Sequence, residues 1–212
     1  MDQNTILYII KGVPITLGYT FLSFLIGLLL GTLLSLAKLS KNKWLSYFVS
    51  VYISIFRGTP ILIQLSMVYF VTPNFIGYRI SIFEAGIIAF SLNSAAYITE
   101  IIRAGIVSID KGQFESAKAL SISYFDRMKD IILPQAIRNI LPALVNEIVS
   151  LLKETAIISF FGEEDIMKRA DAIATAQYSY FLPLLIAAAC YYVLVIMLSY
   201  IAKVVERRMK VS

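Results

Sequence analysis

Hydrophobic residues along this chain gather into long runs, with polar residues mostly between them. Four runs, over residues 13–37, 82–103, 139–161 and 181–203, have the length and character of membrane-spanning helices, which need about 20 mostly apolar residues. A fifth stretch, Tyr47 to Val71, is long enough but is interrupted by Arg57-Gly58-Thr59-Pro60. Proline suits the first position of a helix, and Thr59 is placed to be its N-cap. The pattern predicts a short interfacial helix over 45–56, a break, and a span over 60–76. Residues 1–212 thus read as one all-α integral membrane domain of five spans.

Composition agrees. The chain is 58% hydrophobic and 16% charged, with a mean hydropathy of +0.77, more apolar surface than a soluble fold of 212 residues can hide. It has no histidine and one cysteine, Cys190, which excludes an internal disulfide and a Cys/His metal site. The net charge of +5 does not point to nucleic acid, because the basic residues flank the apolar runs. Lys38, Lys41, Lys43 and Arg57 follow the first span. Arg103, Lys111, Lys118, Arg127, Lys129 and Arg138 border or occupy the connection after the third, and Lys203, Arg207, Arg208 and Lys210 come last. These groups hold most of the 19 lysines and arginines. The positive-inside rule then puts the N-terminus outside and the C-terminus in the cytoplasm. Residues 1–12 lack a signal-peptide pattern: their only base, Lys11, follows the apolar stretch, and no small-residue cleavage site comes after it.

Ser23, Gly27, Gly31 and Ser35 recur every fourth residue in the first span, a spacing that lets another helix approach closely. Packing within the chain and packing between subunits both fit. In the fourth span, Asn139, Ala143, Asn146, Ser150 and Lys153 share a helix face, with Glu147 and Glu154 beside it. A charge at a helix centre costs roughly 2.5–3.5 kcal/mol on insertion scales, so this stripe is expected to face a cavity or another subunit. On the third span, Glu100 and Arg103 are spaced for a structural ion pair, and Asn93 is the candidate for lining a path. Arg57 precedes a helix N-terminus, where it either meets an anion or snorkels to the surface.

The connection over 105–135 is too long for a simple turn. Gln113 to Leu120 is rich in helix formers, with Phe114, Ala117 and Leu120 on one face. Ser123 is placed to cap a second helix, with Asp126 three residues on. Phe125, Met128, Ile131 and Ile132 would form its apolar stripe, and Pro134 would stop it. Two such helices fit a knob for a partner's groove, or a pair lying flat on the bilayer.

Glu115-Ser-Ala-Lys-Ala-Leu-Ser121, followed by Ile132-Leu-Pro134, resembles the signature of ABC importer permeases: Glu-Ala-Ala, then Gly, then a distant Ile-x-Leu-Pro. The flanking text is similar to the polar amino-acid (histidine, glutamine and arginine) branch: Arg57-Gly-Thr-Pro-Ile-Leu-Ile-Gln64, Ala96-Tyr97, Glu100, Arg103-Ala-Gly105, Leu133-Pro-Gln-Ala-Ile-Arg138 and Leu151-Leu-Lys-Glu-Thr155. The resemblance implies a type I ABC importer permease fold in the bacterial cytoplasmic (inner) membrane. The loop over 105–135 would be cytoplasmic and dock on an ATPase, through Gly112, Gln113, Glu115 and Ala117, then Ala119, Leu120, Ser121, Ile132 and Pro134. It also implies two ATPase subunits holding ATP and Mg, a second permease chain, identical or related, and an extracytoplasmic substrate-binding protein. No cofactor is expected on this chain, which has no Gly-Lys-Ser/Thr phosphate loop.

An amino-acid substrate is a zwitterion, and Asn146, Ser150, Lys153, Glu154, Asn93 and Arg57 are the candidates for its path. Lys153 and Glu154 either bind its two charges or form structural pairs. The outer loop, residues 162–177, is similar to the segment that meets the binding protein, and a solvated connector fits equally. Ser121 departs from the family at the signature Gly, where a positive φ is expected and Ser pays a steric penalty. A permease for another small solute, a passive channel and a membrane scaffold are the alternatives. A membrane enzyme lacks any nucleophile–base pairing here.

Overall fold

The computed structural model describes residues 3–210; the side chains of 205–210, with Arg207, Arg208 and Lys210 of the basic C-terminal group, lie outside the described residues. Helices α1 (Gln3–Ile10) and α2 (Val13–Lys38) make up one apolar length of 36 residues. Helix α3 (Lys43–Gly58) starts earlier than hydropathy alone places it. The Asn42 side chain accepts from the N–H groups of Trp44 and Leu45 at 3.0 and 3.3 Å and so caps it. Helix α4 (Ile61–Ile76), which contains a π turn at Met67–Val71, bends from α3 by 104°.

The break differs from the expected cap. Thr59 is extended and ends α3, and Pro60, with ψ 137, takes the N-cap position of α4. Proline disfavours helical backbone in the residue before it, and the Thr59 hydroxyl turns back to donate to the Ile55 carbonyl at 2.8 Å.

Helix α5 (Ile82–Val107) opens with a capping box between Ser81 and Glu84. It packs along α2, and the small-residue stripe is spent in that seam. A Cβ at Gly27 would sit 3.1 Å from Ser94 Cβ, and one at Gly31 would sit 2.8 Å from Ile98 Cβ. The Thr99 hydroxyl reaches the Gly31 carbonyl at 3.3 Å. On the other side of α2, Leu25, Leu29, Leu33 and Leu36 are exposed, as on a helix with one side in lipid.

Helix α6 (Lys111–Ala119) is followed by a short turn, Tyr124–Asp126, and a π turn, Arg127–Ile132, which run directly into α7 (Leu133–Glu154). Pro134 therefore does not stop the second loop helix. It occupies the first turn of α7, where a missing N–H costs little, and the wider π turn precedes it. A 3-10 segment, Thr155–Phe161, leads to α8 (Ile166–Gln177) and then α9 (Phe181–Lys210).

Among the described residues, Gln3–Lys38, Ile82–Val107 and Phe181–Val204 are long and apolar enough to cross a membrane, and the bent α3–α4 pair makes a fourth if taken as one span. Helix α7 has 22 residues, but Arg138, Glu147, Lys153 and Glu154 lower its apolarity. It packs against α2, α5 and α9, so its polar side has to face protein or a water-filled space.

Candidate functional site

Helices α5 and α7 pack side by side and line two open cavities. The larger, about 860 Å³, is bordered by Arg57, Tyr97, Glu100, Arg138 and Asn139. The smaller, about 370 Å³, is bordered by Asn146, Glu147, Ser150 and Glu154. Ala143, Asn146, Glu147, Ser150 and Glu154 follow helical spacing along α7. Glu147 therefore belongs to the lining, although the sequence placed it beside the stripe. Its carboxylate accepts from the Ser94 hydroxyl at 2.7 Å.

Two candidates for the path are not where the sequence put them. Lys153 stands at the trailing edge of the helix face and borders a separate pocket with Met167, Leu184, Ala187 and Tyr191. It does not share a space with Glu154, because neighbouring residues on a helix point about 100° apart. Asn93 is buried and lines neither cavity. Its Nδ2 donates to the Phe56 carbonyl at 3.1 Å and to Gln64 Oε1 at 3.0 Å. Gln64 Nε2 donates in turn to Phe56 O, Thr59 O and Thr59 Oγ1 at 2.8, 3.0 and 2.9 Å. These two amides hold the α3–α4 break, a role that needs the fold to be seen.

Arg57 lies over the Tyr97 ring, 5.1 Å from its centroid. Glu100 and Arg103 form a two-pronged ion pair, with Arg103 Nη2 at 2.8 Å and Nε at 3.1 Å.

The α6 loop forms a knob at one end of the bundle. Asp110 caps α6 by accepting from Gly112 N at 2.6 Å, and a Cβ at Gly112 would lie 2.8 Å from that carboxylate. Gln113, Glu115 and Ala119 are exposed, whereas Ala117 and Ile132 are buried. Phe114, Met128 and Ile131 pack around Ile109, Ile132, Ala136 and Ile140. Leu120 and Phe125 do not join this inward side: they are 74% and 70% exposed, with Tyr124 at 70%. Between them Ser121 has φ +56. Ser121 N donates to Lys118 O and Ile122 N to Ala117 O, both at 3.0 Å, the pairing of a Schellman motif with Ser where Gly is usual.

The sequence matches the family described as Binding-protein-dependent transport system inner membrane component over residues 23–211. The chain belongs to this family. It is 55% identical over 207 residues to a protein named putative glutamine transport system permease of Rickettsia bellii, covering 98% of this chain and 95% of that one. It is 50% identical over 203 residues to the arginine transport system permease of Bacillus subtilis, covering 96% and 93%. The structure superposes with TM-score 0.88 on a chain of an amino acid ABC transporter crystallised with histidines, at 43% identity, covering 95% and 94%. The fold is that of an ABC importer permease, and the chain is a transport component and not an enzyme.

The opposite end of this permease is closed by buried polar groups. Asp165, fully buried, caps α8 by accepting from Lys168 N at 2.8 Å, and it also accepts from the Tyr191 hydroxyl of α9 at 3.1 Å. Burial pushes its carboxyl above the ordinary range, against the pull of those donors. Gly12, between α1 and α2, lies so close that a Cβ there would be 2.4 Å from Ile166 N. Arg169 pairs with Glu164 at 2.6 Å and lies 4.7 Å from the Tyr8 ring centroid. Residues 166–177 are thus a docked helix and not a solvated connector.

Proposed function

We propose that this chain is the permease of an ATP-driven importer of polar amino acids in the bacterial inner membrane. It would have five spans, with α7 as the fourth, the N-terminus outside and the knob in the cytoplasm. One observation carries the reading: α7 lines the carboxylate cavity with Glu147 and Glu154 at one end and runs without a break into the knob at the other. Movement imposed on the knob therefore reaches the walls of the cavity.

The working complex has two such chains, identical or related, two ATPases that bind ATP and Mg, and an external binding protein that docks near α8. The exposed Leu120, Tyr124 and Phe125 suit a partner's cleft. Relatives named for glutamine and arginine transport support an amino-acid substrate. Glu147, Glu154, Asn146 and Ser150 would receive its ammonium or a cationic side chain, and the Arg57 side of the larger cavity its carboxylate. Lys153 and Asn93 have no part in this path.

The test is uptake into proteoliposomes holding the full complex, with a panel of labelled amino acids. Wild type should accumulate at least one of them only with ATP inside and loaded binding protein outside. Glu115→Lys should assemble normally but lose uptake by about tenfold or more. Uptake without ATP, or unchanged uptake in this variant, would sink the reading.

A further inference from the structure

The two cavities share a wall. Tyr97, Ile101 and Ala143 border both, so these side chains separate the space beside Arg57 and Arg138 from the space beside Glu147 and Glu154. Tyr97 is the largest of the three, and its ring carries the Arg57 guanidinium. Arg57 stands at the end of α3, where the chain breaks, and the break is clamped by Gln64 and Asn93. Asn93 lies four residues before Tyr97, on the same side of α5. The elbow and the wall are therefore tied at two successive turns of one helix, and the Tyr52 hydroxyl adds a third tie to the Leu92 carbonyl at 2.5 Å.

We propose that Tyr97 is an internal gate between two compartments of the translocation path, latched by Arg57 and set by the Gln64–Asn93 clamp on the α3–α4 elbow. This rests on the reading that the path runs through these cavities. With the elbow at its present angle, the cation holds the ring across the passage. A change of angle at residues 57–60 withdraws the guanidinium and frees the ring to turn about its side-chain bonds. The gate thus answers to the elbow as well as to the substrate, and the two compartments open to one another only in part of the cycle.

The test uses the full complex in proteoliposomes, with Cys190→Ser as background and Ser150→Cys as the reporter in the inner cavity. A membrane-impermeant maleimide is applied from the knob side without ATP. A gate open in a tenth of the molecules or fewer predicts that Tyr97→Ala speeds modification by about tenfold or more. Arg57→Gln and Gln64→Leu should speed it roughly two- to fivefold, the loss of one cation–π contact. Tyr97→Phe, which keeps the ring face, should restore the slow rate. The transported amino acid, L-arginine or L-glutamine, should protect the reporter in every variant. Protection with no acceleration in Tyr97→Ala overturns the gate and leaves the path standing. Absence of protection in the parent overturns the path, and the gate with it.

Discussion

The two ends of the permease are built on opposite principles. At the α8 end, polar groups are buried and paired: Asp165 holds the N-terminus of α8, Tyr191 of α9 holds Asp165, and Gly12 brings the α1–α2 elbow against their backbone. At the knob, apolar groups are left outside, and Ser121 sits in a conformation that favours glycine. A buried polar network ties elements together because breaking one bond strands the other groups. An exposed apolar patch beside a strained turn ties nothing within the chain, and its stability comes from a partner. One end is a fixed frame and the other a handle.

The contrast is most exposed to a pair of changes at the handle. Leu120→Asp with Phe125→Asp should weaken binding of the ATPase by about thirtyfold or more, as loss of an apolar hot spot does, while the thermal stability of the permease is unchanged. A binding titration in detergent checks it, and equal affinity would remove the distinction. At the frame, Gly12→Ala should cost about 1–3 kcal/mol, since the new methyl group meets backbone that cannot step aside. Thermal unfolding of the purified complex measures this, and an unshifted transition would mean the frame is looser than it looks.

Ser121→Gly sharpens the picture in the other direction. Relief of the positive φ should stabilise the turn by about 1 kcal/mol and slow hydrogen exchange at the Ile122 amide. Faster exchange would show that Ser121 is not strained. The smallest effect is a pH slope. In the folded chain burial keeps Asp165 protonated to higher pH than in the unfolded chain. The stability of this site is therefore full below about pH 4, the ordinary carboxylate range, and declines as pH rises, until the folded-state carboxyl has ionised too. Asp165→Asn should flatten the melting profile over that window; identical slopes would refute it.

The long apolar helices and the break at residues 57–60 were legible because lipid demands apolar length and proline interrupts it. The positive φ at Ser121 was legible from the resemblance, which put a serine where a glycine is expected. Other features depend on contacts far apart in the chain. The amide of Asn93 is polar in mid-helix whether it lines a path or clamps a neighbour, and only its distance to Phe56 and Gln64 decides. Lys153 fits the arithmetic of the stripe but lies at its margin, where the tilt of α7 against α5 chooses the side. Pro134 carries the same sequence signal at the end of one helix as at the start of the next, and the π turn before it has no sequence mark. Leu120 and Phe125 fitted inward-facing stripes because periodicity assumes that apolar means covered.

The glycine seam between α2 and α5 limits how the molecule can move. With Gly27 and Gly31 pressed against Ser94 and Ile98, sliding one helix along the other would drive side chains into main chain at every step. Those two rods must travel as one piece. Any rearrangement that carries cargo is left to the surfaces without such teeth: the bend at residues 57–60 and the loosely filled contact where α7 faces α5.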